Sequence, residues 1–139
     1  MPTILVVDDH EEIREALAEI LEEEGHEVQQ AVDGLEALEM IAASPPDVIL
    51  LDIAMPGMDG LETLQRLKDR PESSNLPVIM VTAQGDRQNM VKAVQLGVRD
   101  YVTKPWEPGE VEMCVNWAIK AAGGAMVQQP APQQLAQAS

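Results

Sequence analysis

Apolar positions along the chain follow two alternating rhythms. Short β-branched runs occupy Thr3 to Val7, Glu27 to Val32, Val48 to Leu51, Pro77 to Thr82 and Asp100 to Thr103, and each predicts a strand. Between them apolar residues recur at helical spacing. The first such stretch puts Ile13, Leu17, Ile20 and Leu21 on one face and Glu11, Glu15, Glu19, Glu22 and Glu23 elsewhere, with Gly25 placed to end it. A second helix carries Leu35, Leu38 and Ile41 on its apolar face. A third carries Leu61, Leu64 and Leu67 behind Asp59, a suitable N-cap, and stops before Pro71 and the Ser73-Ser74-Asn75 run. Val91 and Val94 mark a fourth helix ended by Gly97, and Val111, Cys114, Val115, Ala118 and Ile119 mark a fifth at i, i+3, i+4, i+7 and i+8.

Strict (βα)5 alternation calls for right-handed crossovers and a parallel sheet covered on both faces, which accounts for the unbroken apolar runs Ile4 to Val7 and Val48 to Leu51. The expected fold is therefore α/β, a doubly wound five-stranded parallel sheet, over residues 1–121. From 122 to 139 the chain becomes a mixture of Ala, Gly, Gln and Pro with no sustained apolar period, as expected of a flexible tail or linker.

The composition narrows the partners. With 24 acidic residues against 9 basic and a formal charge of −15, the chain repels phosphate backbones and anionic lipid, so neither nucleic acid nor a membrane surface is an expected partner. A length of 139 residues fits one domain with a core of ordinary size. The one cysteine, Cys114, falls on the apolar stripe of the fifth helix and suits an inert core position. The start lacks the basic segment and apolar run of a secretion signal, and no stretch reaches the roughly 18 apolar residues that span a bilayer, so a cytoplasmic location is expected.

Ligands of open parallel sheets bind beyond the carboxyl ends of the strands, and the polar residues collect there. Strand one ends in Asp8-Asp9, strand three in Asp52 and strand four in Thr82, while strand five leads into Lys104-Pro105. Three carboxylates held together repel one another, and a hard divalent cation with oxygen ligands, above all Mg2+, relieves that repulsion. A carboxylate so placed can attack phosphorus to give an aspartyl phosphate, with the cation and a lysine neutralising the transferring group. Each residue alone has a plainer reading: Asp8 and Asp9 as helix caps, Thr82 as a strand end, Lys104 as a solvated lysine. Their joint placement carries the functional one.

The stretches Val-Val-Asp-Asp, Leu-Leu-Asp-Ile-Ala-Met-Pro-Gly-Met-Asp-Gly, Val-Thr-Ala and Asp-Tyr-Val-Thr-Lys-Pro resemble, in order and spacing, the receiver domain of bacterial response regulators in two-component signalling; the resemblance runs from about Thr3 to Lys120. It implies a flavodoxin-like strand order, 2-1-3-4-5, and a switch phosphorylated on Asp52 by a sensor histidine kinase or a phosphotransfer protein. It further implies that Asp9, Asp52 and the Ala54 backbone carbonyl ligate Mg2+, with Asp8 acting mainly through water. Thr82 would bond the phosphoryl oxygen, Lys104 would be its ionic partner, and Tyr101 would swing inward, although ordinary packing accounts for Tyr101 as well. Lys104-Pro105 is expected to be a cis peptide, which proline tolerates.

Trp106 stands where the family often has phenylalanine, and Ala54 and Gln84 occupy the positions flanking the path of the attacking water. Ala54 also separates the chain from phosphatases and phosphomutases with an aspartyl nucleophile, which want a second aspartate there for acid-base work. No Gly-x-x-x-x-Gly-Lys-Ser/Thr run supports an NTPase. Turnover of an outside substrate is not expected, and the chemistry would be limited to the domain's own phosphorylation and dephosphorylation. The competing reading is the input module of a longer multidomain regulator or hybrid kinase.

Met113 and Trp117 point away from the fifth helix's apolar stripe and mark an expected surface for a downstream effector or a homodimer, unless the tail near Met126 and Val127 covers Trp117. His10 and His26 have no metal-ligand partners at useful spacing and are assigned to the surface.

Overall fold

The computed structural model of the chain describes residues 2–55, 57–83 and 85–122. Five strands alternate with five helices: β1 (Thr3–Val7), α1 (Glu11–Glu23), β2 (Glu27–Ala31), α2 (Gly34–Ala43), β3 (Val48–Asp52), α3 (Gly60–Lys68), β4 (Val78–Ala83), α4 (Arg87–Gln95), β5 (Asp100–Lys104) and α5 (Glu110–Ala122). The strands pair in the order β2-β1-β3-β4-β5, all parallel. The doubly wound sheet expected from the alternation is present, and its switch point lies between β1 and β3.

The pleat divides the apolar residues between the two faces. Leu5, Val7, Ile49, Leu51, Val78 and Met80 pack under α2, α3 and α4 with Leu38, Ile41, Leu64 and Leu67. Ile4, Val6, Val48, Leu50, Ile79 and Val81 pack under α1 and α5 with Leu17, Leu21, Val111, Cys114, Val115 and Ala118. β3 is buried on both faces from end to end, and Asp52, its last residue, is its one polar position.

Helix ends follow local chemistry. After α1, Gly25 takes φ 90°, its N–H donates to the Glu22 carbonyl and the His26 N–H reaches back to Leu21, the paired bonds of a Schellman motif. Gly97 ends α4 in the same way, with Val94 and Val98-to-Ala93 as partners. Asp59 caps α3 as expected, its Oδ1 accepting from the Glu62 N–H at 2.9 Å, and Asp33 does the same for α2.

Two apolar faces differ from expectation. Leu35 is 57% exposed, because α2 turns Gly34, Ala37, Leu38 and Ile41 inward, with Gly34 set against Thr63 and Met58. Leu35 then lies about 100° round the helix from Gly34. On α4 the buried residue is Ala93, flanked by partly buried Met90 and Leu96, while Val91 and Val94 are more than half exposed. α5 continues to Ala122, and the remainder of the expected tail, including Met126 and Val127, lies outside the described residues.

Candidate functional site

Three strands deliver the site, β1 and β3 side by side and β5 beyond β4. β1 ends one residue before Asp8 and β3 ends on Asp52; Asp8 and Asp52 are 1% and 3% exposed, deep enough that their charges need partners. β5 supplies Lys104, whose Nζ donates to Asp8 Oδ2 at 3.1 Å and to Asp52 Oδ1 at 3.2 Å. A single ammonium thus ties together carboxylates from two strands. The Lys104-Pro105 peptide that follows is cis.

The oxygens Lys104 leaves over decide what else the site can hold. Asp8 Oδ1 accepts from the His10 N–H at 2.8 Å, so both Asp8 oxygens are engaged by the protein. Asp52 Oδ2 and Asp9 Oδ1 are buried and have no hydrogen-bond partner among the described residues. Buried carboxylate oxygens left open in this way are a signature of an ion or water. Ligand atoms of Asp8, Asp9, His10 and Asp52 all lie within 4.8 Å of one another, so the donor set fits a hard divalent cation.

Burial pushes the Asp52 carboxyl up to about 6, reinforced by the Asp8 charge and opposed by Lys104. Burial works against the Lys104 ammonium, yet Asp52 and Asp8 outweigh it and the net shift is upward. The pair is therefore ionic, with one carboxylate too many for one lysine.

Thr82, 1% exposed at the end of β4, donates its hydroxyl to the Ala83 carbonyl at 3.3 Å, a long bond that a stronger acceptor could replace. Tyr101 on β5 is buried, its ring in the core under α4 and its hydroxyl without a partner among the described residues. Beside it a groove of about 740 Å3 runs between α4 and β5, lined by Thr82, Met90, Val91, Val94 and Thr103 among others. Ala54 is exposed just past β3, and Gln84 lies outside the described residues. On α5, Met113 is 49% exposed but Trp117 is half-buried, so the expected outer pair is only partly open. An indole of that size is seldom left wholly in solvent.

Two residues of this region escaped the sequence reading. His10 has the exposed ring its sequence position predicts, but Nδ1 stands 3.3 Å from Asp8 Oδ1 and 3.2 Å from Asp9 Oδ1. Adjacency to the Asp8-Asp9 pair was the available signal. Asp100 is 2% exposed at the start of β5 and accepts from the Tyr101 N–H and from the Cys114 thiol at 3.1 Å. Burial raises both the Asp100 carboxyl and the Cys114 thiol above their usual ranges, which keeps the thiol protonated.

A parallel sheet of this order, with an acidic pocket and a bridging lysine at its carboxyl edge, places the chain among receiver-like signalling modules. The chain belongs to the response regulator receiver domain family, whose family model matches residues 4–116. It is 38% identical over 121 residues to the phosphate regulon transcriptional regulatory protein PhoB of Pseudomonas aeruginosa, covering 87% of this chain and 53% of that one. It is 36% identical over 129 residues to the transcriptional regulatory protein SrrA of Staphylococcus aureus, covering 93% and 52%. The chain thus spans about half the length of these curated relatives. Among solved structures, a putative response regulator from Chloroflexus aurantiacus superposes with a TM-score of 0.82 at 36% identity, covering 86% of this chain and 98% of that one. The receiver domain of NtrX from Brucella abortus gives 0.79 at 35%, covering 84% and 98%. No described helix is long and apolar enough to cross a membrane.

Proposed function

We propose that this receiver domain is a phosphorylatable switch whose acceptor is Asp52 and whose cofactor is Mg2+. The observation that carries the reading is the division of labour at Asp52: Oδ1 is held by Lys104, while the buried Oδ2 is left open beside Asp9. A carboxylate oxygen of Asp52 attacks the phosphorus of a phosphohistidine on a sensor kinase or phosphotransfer protein. The P–N bond breaks, and the departing imidazole takes a proton from solvent. Asp9, Asp52 and the Ala54 carbonyl would hold the cation and Asp8 would act through water, which fits the full engagement of both Asp8 oxygens. When bound, Mg2+ supplies charge neutralisation on the transferring group.

Lys104 then exchanges its Asp52 contact for a phosphoryl oxygen. The Thr82 hydroxyl leaves the Ala83 carbonyl for another, and the Tyr101 ring, already buried under α4, packs over the space Thr82 vacates. The altered surface is what a downstream effector or a second copy would recognise. Ala54 offers no acid for a leaving group, so the domain acts on no outside substrate. The length of the curated relatives supports a second reading alongside, in which this switch is the input module of a longer regulator.

Incubation with acetyl phosphate and Mg2+, read by intact mass, is expected to give a single acid-stable, base-labile phosphoryl adduct. Asp52→Asn abolishes it. Undiminished labelling of that variant would place the acceptor elsewhere.

A further inference from the structure

His10 occupies the N-cap of α1, a position where Ser, Thr, Asp or Asn normally bonds the first free N–H groups, yet its side chain makes no capping bond. The ring turns instead toward the acidic pocket. Nδ1 lies 3.3 Å from Asp8 Oδ1 and 3.2 Å from Asp9 Oδ1. The second approach lacks hydrogen-bond geometry, since Asp9 Oδ1 remains without a partner. One ring nitrogen therefore faces two carboxylates and can satisfy only one of them as a proton donor. The imidazole also borders an open cavity of about 690 Å3 lined by Asp9, Glu11, Glu12, Ile13 and Lys104, so the pocket is reachable from solvent.

The second observation is independent of His10. Asp52 is 3% exposed, its Oδ2 has no hydrogen-bond partner among the described residues, and Asp52 is the third member of the same group. Opposite ligands of an octahedral ion with bonds of about 2.1 Å stand about 4.2 Å apart. The donor atoms of Asp9, His10 and Asp52 span at most 4.8 Å, so small side-chain movements bring them onto one ion. Lys104 sits on the other oxygen of Asp52 and does not compete for this position.

We propose that His10 Nδ1 is a nitrogen ligand of the divalent cation held by Asp9 and Asp52, and that it tilts the pocket from Mg2+ toward imidazole-preferring first-row ions such as Co2+ and Ni2+. The inference rests on the cation site of the proposed function. Its physical basis is ligand type: carboxylate and carbonyl oxygens suit Mg2+, whereas imidazole adds far more to Co2+ and Ni2+ binding. An all-oxygen version of the same pocket has no such bias beyond the general affinity order.

Calorimetric titration of the whole chain with Mg2+ and with Ni2+ at pH 7.5 gives the ratio of the two dissociation constants. His10→Ala is expected to lower the Ni2+ preference over Mg2+ by about tenfold or more, on the scale by which metal-site partners act. His26→Ala controls for the other imidazole and should leave the ratio as it was. The absorption bands of bound Co2+ should shift in His10→Ala and not in His26→Ala. If Mg2+ binds and His10→Ala changes neither the ratio nor the bands, His10 is no ligand and the inference falls while the cation site stands. Equal weakening of both ions would also overturn it, since the ring would then only shape the pocket. If neither ion binds the unaltered chain, the cation site itself fails and the inference with it.

Discussion

Asp52 is expensive to keep charged when no cation is present. Its carboxyl is raised from 3.8 to about 6, first by burial and then by Asp8. The native state consequently holds this proton more tightly than the unfolded chain, and stability falls as pH rises between those two values. In metal-free protein, Asp52→Asn should raise the melting temperature above pH 6 by about 3 °C or more, with the gain vanishing below pH 4. Lys104 retains Asp8 at 3.1 Å in that variant, so no buried ammonium is stranded. A gain that is constant from pH 4 to pH 8 would show that Asp52 ionisation is not its source.

Lys104 gives the converse case. It neutralises two buried carboxylates without facing the open oxygens, so Lys104→Ala should leave divalent-cation binding intact or tighten it several-fold while uncoupling phosphorylation from partner affinity. Titration calorimetry beside phosphorylation-dependent binding checks both halves, and parallel loss of the two would contradict the assignment.

Among the elements, the β3 to α3 junction sets the position of Asp52. Gly60, the first residue of α3, is buried against the end of β3. A Cβ there would run into the Asp52 carbonyl oxygen and the Ile53 Cα, which are backbone atoms and cannot rotate away. Gly60→Ala should destabilise the domain by about 2 kcal/mol or more, measured by urea unfolding, and should reduce Asp52 phosphorylation as β3 shifts. An unchanged midpoint would mean that the helix start can retreat without cost. Asp59, which caps the same helix, is a milder lesion: removal of such a cap costs about 1 kcal/mol.

Strands and helix ends were the legible part of the sequence, because two-fold and 3.6-fold periods and the glycines at 25 and 97 are local signals. The inward faces of α2 and α4 were not. On α2 small residues set the face: Gly34 and Ala37 let the helix approach its neighbours, and apolar counting gave Leu35 a weight it does not have. At the site, Asp8, Asp9, Asp52, Thr82 and Lys104 were legible because a parallel sheet gathers its strand ends. The Asp100 and Cys114 contact joins side chains 14 residues apart on β5 and α5, and nothing periodic announces it.

Across the whole molecule, the apolar exposure borders the site at Thr82, which lines one groove with Val91 and Val94. Val91 and Val94 on α4 and Met113 on α5 are exposed, and Trp117 is half-covered. Tyr101, on the strand between these helices in sequence, connects that side to the groove beside Thr82. Replacing Met113 and Trp117 together by Ser should keep the fold and Asp52 phosphorylation while weakening self-association or effector capture by about tenfold, as loss of an apolar anchor does at interfaces. Analytical ultracentrifugation and a partner titration read this. Unfolding would reassign the face to the core, and unchanged binding would move the partner elsewhere.

The Lys104 bridge to Asp8 spans 96 residues of chain, and it has a consequence for synthesis. At roughly 5 to 20 residues per second, a ribosome needs several seconds after Asp8 before Lys104 is made. From Asp52 until Lys104, a further 52 residues, the nascent chain holds all three aspartates without the lysine that bridges Asp8 and Asp52. β1, made first, ends as an inner strand beside β2 and β3, while β5 closes the far edge last. The pocket is thus completed by the last of the described strands to be translated, and a chain that stops before Lys104 lacks the ammonium that joins Asp8 to Asp52.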